Sequence, residues 1–343
     1  MTENDTYSVL LLHSSLNELS QLEETVEQVS SCSVVSKTTN LSSAFDFSEH
    51  HTPDLIVSSK SYALRPEFEI FVALLSAIGT ELIVLEEGTD REIEHINVGA
   101  IRFTLLPRVE LAKRLRILIK QSKPRPSRNS SIAPTIHPYS SQLDGNLVLV
   151  GASTGGIDAL LQILGKYPEN GPALMIAQHT RGSFAKSLAR LLDRSSKIKV
   201  KLAQDEEPLC RGFGYLSPSG DKHLCVAPSS KLKCFLSDAP PQGGHRPSVD
   251  VLFHSAVPHA KKVSAALLTG MGKDGAKGLL ALNQAGAATF AQDEATSVVF
   301  GMPKAAIDLG AVDREVDISR MTEALLKGPE IMRKSDLARS HND

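Results

Sequence analysis

The chain has 343 residues, of which 41% are hydrophobic and 22% are charged, and its formal net charge at pH 7 is -2. This length exceeds one ordinary hydrophobic core and predicts two domains. The near-neutral charge argues against nucleic acid as the main partner, the polar N-terminus is unlike a signal peptide, and the apolar stretches are too short for membrane insertion, so we expect a cytoplasmic protein.

The first 120 residues alternate between predicted strands and predicted helices. The strands are expected over residues 8–12, 34–36, 55–58, 82–85 and 101–105, and the helices over residues 16–29 and 108–121. This alternation is typical of a doubly wound α/β domain with a parallel sheet, which we assign to residues 1–120.

A linker is predicted over residues 121–143. The segment is rich in proline, serine and basic residues and has no apolar periodicity. Such a composition describes an extended, flexible tether, although its basic charge would also suit docking on an acidic surface. We assign a second, larger domain to residues 144–335 and a polar tail to residues 336–343.

A glycine-rich turn, GASTGG at residues 151–156, follows the apolar strand predicted over residues 147–150. Residues 157–165 then have the apolar spacing of a helix packed on a sheet. Ser153 therefore lies at a strand-to-helix corner, near a helix N-terminus where unpaired backbone N–H groups favour negative charge. This position suits either a nucleophile or a phosphate ligand.

The phosphate interpretation meets two difficulties. A dinucleotide fingerprint requires glycine where this chain has Ser153, and it requires an acidic residue at the end of the next strand. The strand predicted over residues 172–177 ends instead in Gln178 and His179, and the turn has no Gly-Lys-Ser/Thr ending. The turn alone leaves ligand binding and catalysis evenly matched, and His179 favours catalysis.

Three predicted strand ends carry the residue types of a catalytic triad. Ser153 and His179 each follow a strand, and the strand over residues 263–268 leads into a glycine-rich turn that contains Asp274. A serine becomes a nucleophile when a base removes its proton, and the base must be held in one tautomer by a third group. A single histidine or Asp-Gly pair is usually structural, but the joint arrangement favours acyl transfer.

Several blocks between residues 146 and 316 resemble the chemotaxis protein-glutamate methylesterases, the CheB family. The blocks are GASTGG at 151–156, QH at 178–179, GDKH at 220–223, HRPSVDVLFHS at 245–255, LTGMGKDGA at 268–276 and AQDEATSVVFGMP at 291–303. The resemblance implies that Ser153 is the nucleophile, His179 the general base and Asp274 the residue that orients it. It also implies an oxyanion site formed by backbone groups of Met271 and Thr154.

The resemblance further implies a reaction and its partners. The family hydrolyses glutamate methyl esters on methyl-accepting chemotaxis-type receptors, some members also deamidate receptor glutamines, and no cofactor is required. Other chemosensory array proteins are further expected partners. One departure is Thr180-Arg181, where members usually carry Met-Pro at the rim of the substrate cleft. The alternative that we retain is a non-catalytic adaptor of a chemosensory array.

Family members carry a phosphorylatable receiver before the esterase. Receiver chemistry needs acids that bind a divalent metal, an aspartate that accepts phosphate, a hydroxyl and a lysine. At the matching positions this chain has His13 and Ser14, Ser59, Glu86 and Leu106. The resemblance therefore implies a flavodoxin-like pseudo-receiver, a degenerate receiver-like domain, followed by a larger Rossmann-like methylesterase domain.

A histidine group, His245, His254 and His259, has the composition of a metal site. We nevertheless expect no metal, because a five-residue spacing on the helix predicted over residues 248–259 does not align two ligands. We interpret these histidines as packing or turn residues.

The helix predicted after His179 carries Lys186, Arg190 and Arg194 at intervals of four residues, a set that we call the basic stripe. A solvated helix face is the simpler interpretation, and attraction of acidic receptor helices is the functional one.

Overall fold

A computed structural model describes residues 6–65, 67–86, 95–98, 101–121, 146–180, 184–218, 222–228 and 232–339. The chain forms two compact units, Met1–Ile136 and His137–Asp343. The division falls within the predicted linker, and residues 122–143 of that linker lie outside the described residues. The boundaries that we assigned to the domains, linker and tail remain predictions.

The first unit contains a parallel sheet of five strands with helices around it. Its strands are β1 Tyr7–Leu12, β2 Cys32–Thr38, β3 Leu55–Ser59, β4 Glu81–Glu86, β5 His95–Val98, β6 Ile101–Thr104 and β7 Leu106–Pro107, and its helices are α1 Leu16–Glu27, α2 Leu41–His51, α3 Lys60–Ala63, α4 Phe68–Ile78 and α5 Leu111–Gln121. The strand order of the large sheet is β2-β1-β3-β4-β7. This order is that of the flavodoxin-like doubly wound fold and confirms the predicted architecture.

The strand predicted over residues 101–105 is present as β6, but it lies outside the parallel sheet. β6 pairs antiparallel with β5 in a separate hairpin, and the fifth position of the parallel sheet belongs to the short β7, which pairs with β4. The side chains of β6 are mostly exposed, as suits a hairpin and not a strand covered on both faces. The helix predicted from residue 108 begins at Leu111, after a single 3₁₀ turn at Arg108–Glu110.

Three helices of this unit, α2, α3 and α4, were not predicted. The first eight residues of α4 are all buried, so α4 lacks the polar face whose period of 3.6 residues reveals an amphipathic helix.

The second unit has a parallel sheet of seven strands. Its strands are β8 Leu147–Ala152, β9 Ala173–Gln178, β10 Lys199–Leu202, β11 Phe213–Leu216, β12 His223–Val226, β13 Cys234–Ser237, β14 Val263–Leu267, β15 Ala288–Gln292 and β16 Arg314–Val316, and its helices are α6 Gly156–Lys166, α7 Phe184–Arg194, α8 Val249–Ser255, α9 Ala276–Gln284, α10 Met302–Asp308 and α11 Ile318–Arg339. The order of the large sheet is β10-β11-β9-β8-β14-β15-β16. This arrangement confirms the larger, Rossmann-like doubly wound domain.

The chain order along this sheet reverses between β8 and β14, which are adjacent parallel strands. After β8 the chain forms β9, β10 and β11 on one side of the reversal, and after β14 it forms β15 and β16 on the other side. Both strands are completely buried, because helices cover the two faces of the sheet. In such sheets the reactive groups gather at the carboxyl ends of the strands beside this reversal.

The antiparallel pair β12–β13 lies outside the large sheet and packs on α8. The helix predicted over residues 248–259 ends at Ser255, and a 3₁₀ turn, Val257–Lys262, follows with Pro258 at its beginning. Proline has no N–H to donate to the preceding helical turn, which accounts for the earlier end. Among the described residues, no helix has both the length and the apolar character needed to cross a bilayer.

Candidate active site

Ser153 occupies the turn between β8 and α6. Gly155 has a φ of +79°, a value that residues with side chains rarely adopt, and it allows the chain to enter α6 at Gly156. Across the turn, the backbone N–H of Ser153 donates to the carbonyl oxygen of Thr269 at 3.1 Å. A Cβ atom added to Gly270 would lie 2.7 Å from the Cβ of Ser153, so only glycine lets the loop after β14 approach the serine this closely.

The structure brings together the three residues that the sequence nominated. The Oγ of Ser153 lies 3.2 Å from Nδ1 of His179, and Nε2 of His179 lies 2.8 Å from Oδ2 of Asp274. The side chains of His179 and Asp274 are only 12% and 5% exposed. When Asp274 is ionised and His179 is neutral, the ring proton lies on Nε2 and Nδ1 is left as the acceptor that faces Ser153.

Asp274 lies in a cradle of hydrogen-bond donors at the beginning of α8. Its Oδ2 also accepts from the backbone N–H of Val249 at 2.8 Å, while Oδ1 accepts from the hydroxyl of Ser248 at 2.8 Å and from the N–H of Asp250 at 3.1 Å. Burial raises the pKa of Asp274, but the hydrogen bonds from His179 and from this cradle outweigh burial and hold the pKa below its usual value. Asp274 is therefore an ionised partner for His179 at neutral pH.

His179 is also fixed from its other sides. The ring of His245 stacks on it with a centroid distance of 4.0 Å and an interplanar angle of 3°. The N–H of His179 donates to the carbonyl of Ala152, and the carboxamide of Gln178 donates to the carbonyl of Ser153 at 2.9 Å. We predicted that His245 is a packing or turn residue. The structure shows that it packs on the ring of His179, the candidate base, which the sequence did not indicate.

Two backbone N–H groups beside Ser153 have fixed directions. The carbonyl of Ser153 accepts from Gln178 and from the N–H of Gly156, and the carbonyl of Gly270 accepts from the N–H of Met302 at 2.9 Å. In a trans peptide unit the N–H points away from the C=O, so these bonds orient the N–H groups of Thr154 and Met271. Within the described residues neither N–H has an acceptor, so both can serve a developing oxyanion.

The side chains of the basic stripe and of Thr180 differ in how far they are exposed. In the basic stripe, Lys186 and Arg194 are exposed, whereas Arg190 is half-buried and donates to the hydroxyl of Ser187. Thr180 is half-buried beside the site, and Arg181 lies outside the described residues. Across the described parts of the chain, no group of three or more His, Cys, Asp or Glu side chains is arranged to hold a metal ion.

The parallel α/β fold and these contacts are typical of a serine hydrolase, and comparison with known proteins agrees. The family model for CheB methylesterase matches residues 148–325. The protein-glutamate methylesterase/protein-glutamine glutaminase of Photorhabdus laumondii is 42% identical over 274 residues, which cover 78% of this chain and 77% of that protein. Protein-glutamate methylesterase/protein-glutamine glutaminase 1 of Caulobacter vibrioides is 40% identical over 278 residues, or 78% of each chain.

A solved structure has the same fold in the second unit. The crystal structure of the Thermotoga maritima CheB methylesterase catalytic domain is 38% identical and aligns with a TM-score of 0.52. The alignment covers 99% of that domain and 54% of this chain. The chain belongs to the CheB methylesterase family, whose members are serine hydrolases.

Proposed function

We propose that this chain hydrolyses glutamate methyl esters on methyl-accepting chemosensory receptors in the cytoplasm. The main support is the continuous hydrogen-bonded series of Ser153, His179 and Asp274 at the carboxyl edge of the parallel sheet. Membership of the CheB methylesterase family and the printed names of the relatives support the choice of substrate.

In the first half of the reaction, Nδ1 of His179 accepts the proton of Ser153 as its Oγ attacks the glutamyl carbonyl carbon. The ring then carries a positive charge, with one proton directed to the substrate and one directed to Asp274. Because Asp274 is ionised and almost buried, it stabilises this imidazolium and keeps the ring in place.

The attack places a negative charge on the former carbonyl oxygen. We assign the N–H groups of Thr154 and Met271 to this oxyanion, since the surrounding hydrogen bonds fix both peptide units before substrate arrives. Preorganised donors of this kind contribute about 10²- to 10³-fold in rate each.

The second half of the reaction repeats these proton transfers with water. The imidazolium gives its proton to the departing methoxy group and methanol leaves, so that an ester joins the glutamyl group to Ser153. His179 then removes a proton from water, the hydroxide attacks this ester, and Ser153 recovers its proton. With a glutamine side chain the leaving group is ammonia, and the glutaminase names of the relatives favour this second activity.

We also propose that the first unit is a pseudo-receiver. At the carboxyl edge of its sheet, Ser59 ends β3 and Glu86 ends β4. The Nζ of Lys60 lies 3.3 Å from Oε1 of Glu86. This ion pair involves the residue next to Ser59, the position that the resemblance matches to the phosphoacceptor, and it supports the proposal. Control of the esterase then depends on protein contacts and not on an acyl phosphate.

The test is the release of methanol from a methylated receptor fragment by the purified full-length protein. Release of methanol in proportion to enzyme concentration supports the proposal, and ammonia from the corresponding glutamine fragment adds the deamidase activity. A protein that binds the fragment but releases neither product would instead be the array adaptor.

A further inference from the structure

The strand β12 packs along α8, the helix whose first turn holds Asp274, and is hydrogen-bonded to it near both ends. We call this strand the splint. At the beginning of the helix, the backbone N–H of Ser248 donates to Nδ1 of His223 at 3.2 Å. At its end, the hydroxyl of Ser255 accepts from the backbone N–H of Val226 at 2.8 Å. The splint therefore fixes α8 against a part of the fold outside the large sheet.

His223 is completely buried, and its two ring nitrogens have different partners. Because Nδ1 accepts from Ser248, it carries no proton. The proton lies on Nε2, which donates to the carbonyl oxygen of Pro240 at 3.1 Å. The two contacts therefore fix which ring nitrogen carries the proton.

The contact at Ser248 leads directly to the candidate site. Ser248 is the N-cap of α8, and its hydroxyl donates to Oδ1 of Asp274 at 2.8 Å. The next two backbone N–H groups, at Val249 and Asp250, donate to the same carboxylate. The position of Asp274, and through it the ring of His179, consequently depends on where the first turn of α8 lies.

We propose that His223 is a positioning residue for the triad, acting through the N-cap of α8. It touches neither substrate nor reacting atoms. It holds the backbone of Ser248 so that the donors of the first turn keep the carboxylate of Asp274 in line with Nε2 of His179. This inference rests on the proposed function only for its kinetic test.

Two substitutions separate the two hydrogen bonds of His223. In His223→Asn the side-chain oxygen takes the place of Nδ1 and accepts from Ser248, while the bond to Pro240 is lost. In His223→Gln the side-chain NH₂ takes the place of Nε2 and donates to Pro240, while the N–H of Ser248 is left without an acceptor. The matched control is Ser255→Ala, which breaks the other attachment of α8 to the splint, away from Asp274.

We expect His223→Gln to lower kcat for the receptor methyl ester by about 10- to 100-fold with KM within about twofold, since small misplacements of catalytic groups act mainly on the chemical step. His223→Asn should recover most of that loss. Ser255→Ala should lower Tm and leave kcat close to that of the wild type. Equal losses of kcat in His223→Gln and Ser255→Ala, or no recovery in His223→Asn, would show a merely structural role.

A second measurement does not require turnover. The proton shared by His179 and Asp274 should give a downfield ¹H NMR resonance, which should shift or disappear in His223→Gln and remain in His223→Asn and Ser255→Ala. If the wild type releases no methanol but the resonance responds in this way, the proposed function fails and the positioning role stands. A resonance that His223→Gln leaves unchanged overturns the positioning role.

Discussion

Replacing Asp274 with asparagine changes one carboxylate oxygen into an NH₂ group and leaves the shape of the side chain almost unchanged. The wild-type carboxylate accepts four hydrogen bonds, from the His179 ring, the Ser248 hydroxyl and two backbone N–H groups. In asparagine an NH₂ group must replace one of the two oxygens. It faces either the ring of His179 with the N–H of Val249, or the hydroxyl of Ser248 with the next backbone N–H. We expect the oxygen to remain toward His179, because the Ser248 hydroxyl can rotate to accept from the NH₂ group.

The variant should lose both stability and rate. At neutral pH, one buried backbone donor without an acceptor and the lost carboxylate charge should reduce the free energy of unfolding by about 1–3 kcal/mol. The uncharged amide no longer balances the imidazolium, so kcat should fall by about 10²- to 10⁴-fold. Methanol release measured well below Tm separates the two effects.

The stability difference should also depend on pH. Hydrogen bonds hold the pKa of folded Asp274 below its usual value of 3.8, so the ionised carboxylate stabilises the fold above that value and loses this effect as pH falls through the folded pKa. The Tm difference between the wild type and Asp274→Asn should therefore narrow when pH is lowered from about 7 to about 3. Asp250→Asn, a change at a neighbouring buried carboxyl that does not contact His179, serves as the control. Equal kcat values for the two variants would refute our account of Asp274.

Three further predictions concern other parts of the chain. Changing the whole basic stripe to glutamine should lower kcat/KM and flatten its dependence on ionic strength, and an unchanged salt dependence would identify the stripe as a solvated face. Gly270→Ala should reduce kcat by more than about 100-fold, since the new methyl group would press on Ser153, whereas Gly165→Ala, with nothing within 4 Å of its added Cβ, should stay close to the wild type. The first unit should take up no phosphoryl group from acetyl phosphate, and beryllofluoride with magnesium should not change the esterase rate; stoichiometric, magnesium-dependent labelling of the first unit would contradict the pseudo-receiver.

The main features of the site could be predicted because a parallel sheet places successive strand ends at one edge. Ser153, His179 and Asp274 each follow a strand, so their proximity required only the right strands and their direction. The same logic gave the doubly wound fold of both units. It did not foresee that β6, a segment of strand-like composition, forms a hairpin with β5 outside the parallel sheet. The fifth position of that sheet belongs to β7.

The support around the triad was less accessible to sequence reasoning. The hydrogen-bonded residues His223 and Ser248 are 25 positions apart in the sequence. Ser248 and Asp274, which are also hydrogen-bonded, are 26 positions apart. These contacts depend on how β12 packs against α8, which neither periodicity nor strand order determines. The blocks GDKH and HRPSVDVLFHS contained the signal, since they hold His223, His245 and Ser248, but residue types alone did not show which groups they serve.

The most direct test of the central claim is methanol release from a methylated receptor fragment by Ser153→Ala, compared with Thr154→Ala. The first variant removes the nucleophile, whereas the second removes the neighbouring hydroxyl and keeps the backbone N–H that we assign to the oxyanion. We predict that Ser153→Ala loses at least about 10⁴-fold in kcat and that Thr154→Ala stays within about tenfold of the wild type. Substantial methanol release by Ser153→Ala would contradict a mechanism in which Ser153 carries the glutamyl group.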